Sequence, residues 1–142
     1  MTHILNLAPD VEPAYPEHFQ YKTVPVLDIP ETNIISYFPQ CFEVLDDAVK
    51  SGGCVLVHCK AGVSRAAAVV IGYLIRQNDM DYQQAFDFVK SKRPSIKPNP
   101  GFVAQFVGIF MENEVLRPAC RQAYMIVHAA SYSYIVYQCV VT

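Results

Sequence analysis

With 142 residues the chain has room for one domain. A formal net charge of −2 gives no global reason to expect nucleic acid as a partner. The five cysteines, Cys41, Cys54, Cys59, Cys120 and Cys139, are odd in number and lack metal-ligand spacing. They argue for reduced thiols, no metal and a reducing compartment, the cytoplasm first and the nucleus second. The N-terminus lacks the charged and apolar regions of a secretory signal.

In chain order, His3 to Leu7 reads as a strand and Pro9 to Pro16 as a Pro-rich connection. Gln20 to Val26 alternates enough for a second strand. From about Asn33 to Lys50, Phe38, Phe42, Leu45 and Val49 recur at helical spacing, and Ser51-Gly52-Gly53 stops that helix. Cys54 to His58 is a continuous apolar run, as in a fully buried strand, and a long helix follows from about Ser64 to Gln77. Asp81 is the predicted N-cap of the next helix, with Ala85, Phe86 and Val89 on its inner face. Pro94 to Pro100 is a rigid loop, and Gly101 to about Glu112 a last helix. Strands alternating with helices predict an α/β fold: a three-layer-like domain with a central, mainly parallel sheet flanked by helices. Ligands of such sheets bind beyond the C-terminal ends of the strands, which singles out the end of Cys54–His58.

What stands there is VLVHCKAGVSR, residues 55–65. The strand delivers Cys59 to a short loop that Arg65 closes, a Cys–five residues–Arg loop between strand and helix. A thiolate is the nucleophilic form of cysteine, and a helix N-terminus favours it through its unpaired N–H groups and dipole. The N–H groups of Lys60, Ala61, Gly62, Val63, Ser64 and Arg65 can curl around one anion. Gly62 tolerates the positive φ that such a curl needs, and the Arg65 fork matches two phosphate oxygens. Ser64 is expected to donate its hydroxyl to the sulfur, and His58 to orient the loop and hold the cysteine through its ring N–H. A lone Cys ending a strand is usually a small core hydrophobe, and a lone Arg at a helix start a solvated one. Together in this setting the residues predict a phosphate-monoester site and a cysteine-dependent phosphatase.

HCKAGVSR resembles the His-Cys-x-x-Gly-x-x-Arg loop of the protein tyrosine phosphatase superfamily, in the form of its dual-specificity branch, which includes the MAP-kinase phosphatases. LDIPETNIISYF (27–38), RPSIKPNPGFVAQF (93–106) and THILNLA (2–8) resemble further segments of that branch, so the likeness covers about residues 2–110. Within the branch the small, atypical members are the nearest match, particularly the one named for regulating stress-activated pathways. The resemblance implies that Asp28, on a mobile loop after a strand, is the general acid and later the base. Glu31 is the rival carboxylate, and Asp28 could instead only cap the following helix, a task open to Thr32 or Asn33. Asn99 is implied as a residue that steadies the phosphate loop; a plain turn between Pro98 and Pro100 is the other reading. The implied reaction runs through a phosphocysteine, with no cofactor. The implied partner is a phosphorylated protein, in the first place a MAP kinase or an upstream kinase. Lys60, directly after the nucleophile, is the one basic feature that hints at a phosphoinositide or other non-protein substrate.

Two departures temper the resemblance. Family domains have roughly another strand–helix–strand before the THILN element, so residues 1–112 read as a catalytic domain shortened at its N-terminus, with a bare sheet edge expected. The shortened chain could be an inactive fragment that only binds phosphoproteins. Residues 113–142 read as an apolar C-terminal tail of unknown role. From Gln122 to Thr142 there is no Asp, Glu, Lys or Arg, and fifteen of the last twenty residues are apolar. His128, Ser131, Ser133 and Gln138 interrupt the run, which argues against a membrane span. SYSYIVYQCVV is β-prone and aggregation-prone.

Overall fold

The computed structural model describes residues 1–111, 124–130 and 134–140, with side chains to residue 108. Three strands run parallel: β1 (His3–Asn6), β2 (Gln20–Thr23) and β3 (Cys54–His58). Two more, β4 (Tyr124–Ala130) and β5 (Tyr134–Val140), are antiparallel and complete one five-stranded sheet in the order β2-β1-β3-β5-β4. The sheet is therefore mixed: parallel through β1–β3, as expected, and antiparallel beyond. β3 is not left as a bare edge, because β5 pairs with it from Cys54↔Gln138 to His58↔Tyr134 and takes up its backbone donors and acceptors.

Four helices flank the sheet: α1 (Phe38–Lys50), α2 (Arg65–Asn78), α3 (Tyr82–Lys92) and α4 (Pro100–Met111). The segment before α1 is a 3₁₀ turn, Ile34–Tyr37, so the predicted single helix from Asn33 is two pieces. Asp81 caps α3 as expected: its side chain accepts from the Gln84 N–H while the Gln84 side chain accepts from the Asp81 N–H. The predicted end of the last helix at Glu112 lies outside the described residues.

β1 and α2 are buried over much of their length, with Leu5, Val69, Val70, Ile71 and Leu74 at 0% exposure. An aromatic chain ties the helices together. Phe38 stacks on Phe42 at 4.9 Å and on Phe106 at 5.9 Å, Phe42 meets Tyr73 edge-on at 5.4 Å, and Tyr82 stacks on Phe106 at 5.3 Å. These contacts fix α4 against α1 and α3, which matters for the site below. Among the described residues no helix is long and apolar enough to cross a membrane.

Candidate active site

β3 ends at His58 and α2 begins at Arg65, so residues 59–64 form the loop between strand and helix that the sequence predicts. Gly62 has φ +63, the left-handed conformation that favours glycine. Part of the loop is held from outside by a basic side chain. Arg93, at the end of α3, donates through Nε to the Gly62 carbonyl at 2.9 Å and through Nη2 to the Ala61 carbonyl at 3.3 Å. The Lys97 N–H donates to the Val63 carbonyl at 2.8 Å. Three successive carbonyls are thus held on the side of the 93–97 segment. In planar trans peptides the N–H points opposite to the C=O, so the N–H groups of Gly62, Val63 and Ser64 face the other way, into the loop.

Arg65 reaches the strand ends. Its Nη1 donates to the carbonyls of Val26 at 3.0 Å and Leu7 at 3.3 Å. Its Nε is buried, has no hydrogen-bond partner, and lies 3.8 Å from Asp28 Oδ2, too long for a hydrogen bond but within charge–charge range. Cys59 is buried, at 5% exposure. His58 is buried too. Desolvation lowers its pKa below the ordinary histidine value, while a hydrogen bond with the Cys59 backbone works the other way. His58 is thus tied to the main chain of the cysteine that follows it. Burial pushes the Cys41 thiol up to about 12 and also raises Cys54.

The surroundings of Asp28 are assembled from distant segments. Asp28 Oδ1 accepts from Ser64 Oγ at 2.7 Å and from Asn99 Nδ2 at 2.8 Å. Ser64 Oγ in turn accepts from the Asn99 N–H at 3.0 Å. This corrects the role expected of Ser64. A hydroxyl has one proton, and here it goes to the carboxylate rather than to the sulfur of Cys59. Asn99 Oδ1 caps the first turn of α4 by accepting from the Phe102 N–H at 3.0 Å, while Nδ2 donates to Asp28. Helix capping next to Asp28 falls to Asn33, whose Oδ1 accepts from the Ser36 N–H, so Asp28 is not the cap. Lys60 points outward to Asp10 of the β1–β2 connection, at 3.0 Å, and this contact lowers the Asp10 pKa. Sequence reasoning missed Arg93, Gly101 and Gln105; all three lie in RPSIKPNPGFVAQF, but nothing local says what they touch.

The family model for the dual specificity phosphatase catalytic domain matches residues 1–110. The chain belongs to the dual-specificity phosphatase family. It is 56% identical over 105 residues to mouse dual specificity protein phosphatase 19, covering 74% of this chain and 48% of that protein. To dual specificity protein phosphatase 1B of Arabidopsis thaliana it is 42% identical over 105 residues, 74% of this chain and 63% of the relative. The chain thus spans about half to three-fifths of the length of these dual-specificity relatives. Among solved structures it is similar to a human tyrosine phosphatase-like serine/threonine/tyrosine-interacting protein, with a TM-score of 0.72 and 38% identity over 79% of this chain and 78% of that one.

Proposed function

We propose that this chain is a cysteine-dependent protein phosphatase that hydrolyses phosphotyrosine and phosphoserine or phosphothreonine monoesters. The observation that carries the reading is Arg65 Nε. A buried cationic donor without an acceptor is costly, and a phosphoryl oxygen on the nucleophile is the acceptor that suits it. The inward N–H groups of residues 62–64 would bind the remaining equatorial oxygens as charge develops on them.

In the first step the Cys59 thiolate attacks phosphorus in line, and the P–O bond to the leaving group breaks. The leaving oxygen keeps the electron pair and takes a proton from Asp28. Oδ1 is occupied by two donors, so Oδ2 is the oxygen that carries this proton. In the second step water attacks the phosphocysteine and gives a proton to Asp28. The P–S bond breaks, the sulfur leaves with its electron pair, and phosphate departs. Arg65 and the helix end supply the positive charge in both steps.

The substrate class favoured by the resemblance is a phosphorylated protein, a MAP kinase or an upstream kinase. A phosphoinositide is disfavoured because Lys60, the one basic feature hinting at it, is already paired with Asp10. The fold alone does not separate turnover from mere binding, since it is shared with a protein described as phosphatase-like and interacting. One assay separates the three. The chain and Cys59→Ser are each given an aryl phosphate, a doubly phosphorylated kinase-loop peptide and a phosphoinositide. Peptide turnover that vanishes in the variant is the expected result. Preference for lipid would replace the protein substrate, and folded chain that binds peptide without turnover would remove the catalytic reading.

A further inference from the structure

The loop that carries Asp28 is docked on the first turns of α4 at three points. Asn99 Nδ2 donates to Asp28 itself. Two residues further on, Pro30 lies against Gly101 so closely that a Cβ there would run into the Pro30 main chain, its Cα, C and O atoms. Backbone cannot step aside as a flexible side chain can. Gln105, one turn along, grips the end of the same loop from both sides. Its Nε2 donates to the Thr32 carbonyl at 2.9 Å, and its Oε1 accepts from the Ile34 N–H at 2.9 Å. A further bond from Nε2 to the Gly101 carbonyl, at 3.1 Å, fixes which way the amide faces. Ile34 beyond it is fully buried, so the loop is tied down at its far end as well.

We propose that Gly101 and Gln105 are positioning residues for proton transfer: they hold residues 30–34 on α4 so that Asp28 stands at the leaving oxygen. Neither touches the phosphate loop by any described contact, so neither acts on the nucleophile. The inference rests on the reading of Asp28 as the acid. Proton donation is steeply sensitive to placement, because the reacting atoms must stand within hydrogen-bond reach.

The test uses Gln105→Ala and Gly101→Ala, alone and combined with Asp28→Asn. Substrates are a phosphoserine peptide, whose alkoxide leaves only with a proton, and an aryl phosphate of an acidic phenol, which leaves without one. Each single variant is expected to lose about tenfold or more in kcat on the peptide and less than about twofold on the aryl ester, with KM little changed. Added to Asp28→Asn, neither should cost anything further. Equal losses on both substrates, or additive losses on Asp28→Asn, would overturn the proposal and leave a purely structural role. If Asp28→Asn itself shows no leaving-group bias, it is the acid assignment that fails, a different result. Should Gln105→Ala unfold, Gln105→Glu keeps the acceptor for the Ile34 N–H and loses the donor to Thr32. The same substrate bias, smaller in size, is then required.

Discussion

The two halves of the site are built by different means. Cys59 and Arg65 lie six residues apart on one continuous stretch, placed by the end of a strand and the start of a helix. Asp28, Ser64 and Asn99 meet across separations of 36 and 71 residues, through side-chain hydrogen bonds. The proposed nucleophile half follows from secondary structure, while the proposed acid half exists only once the tertiary structure does. Damage to the first should be severe for every substrate. Damage to the second should depend on how much help the leaving group needs.

The largest effect beyond loss of the nucleophile itself is expected from Arg65→Lys. It removes the bidentate fork and the anchors to Val26 and Leu7, and should lower kcat/KM by roughly 10³-fold on peptide and aryl phosphate alike. A loss confined to one substrate would break the contrast. Asp28→Asn comes next, with about a 10²-fold loss on the phosphoserine peptide and much less on an ester of an acidic phenol. A flat response across leaving groups would merge the two halves. Arg93→Leu sharpens the comparison, because Arg93 serves the nucleophile half from outside. Without its bonds to the Gly62 and Ala61 carbonyls the loop loses its preset shape, and inhibition by inorganic phosphate should weaken by about tenfold. Leaving-group dependence should stay as it was.

The smallest effect concerns pH. Burial holds the pKa of His58 below its ordinary 6.5 in the folded protein. The unfolded chain therefore binds the proton more readily than the folded one. Stability tied to neutral His58 is complete above the unfolded value and falls as pH drops through the depressed folded one. Thermal melts between pH 8 and pH 5 should show a drop on the acid side that is shallower in His58→Gln. An unchanged slope would place the acid sensitivity elsewhere.

The same contrast explains what could be read from the sequence. The Cys59–Arg65 loop was legible because its chemistry, its glycine and its flanking elements are contiguous. The parallel strands and the α3 cap were legible for the same reason: periodicity and capping are local signals. Asp28 could be picked out only by family resemblance, since its partners are far off in the chain. Arg93, Gly101 and Gln105 were invisible because each acts on main chain of a remote segment: Gly62 at a separation of 31 residues, Pro30, and Thr32 at 73. Ser64 misled because its neighbour in sequence is the nucleophile loop while its neighbour in space is a carboxylate. The β-prone character of the last stretch was legible, but its docking on β3 was not, because strand pairing depends on which edge is open.

β3 lies between β1 and β5, hydrogen-bonded along both sides from Val55 to His58. A strand in that position has no frayed side from which to open. Its amide protons should exchange with deuterium only as slowly as the whole molecule unfolds, and the sulfur that follows His58 inherits that persistence. On the proposed reading the reacting sulfur is thus mounted at the end of a strand paired on both sides, and the motions of catalysis fall to the loops around it.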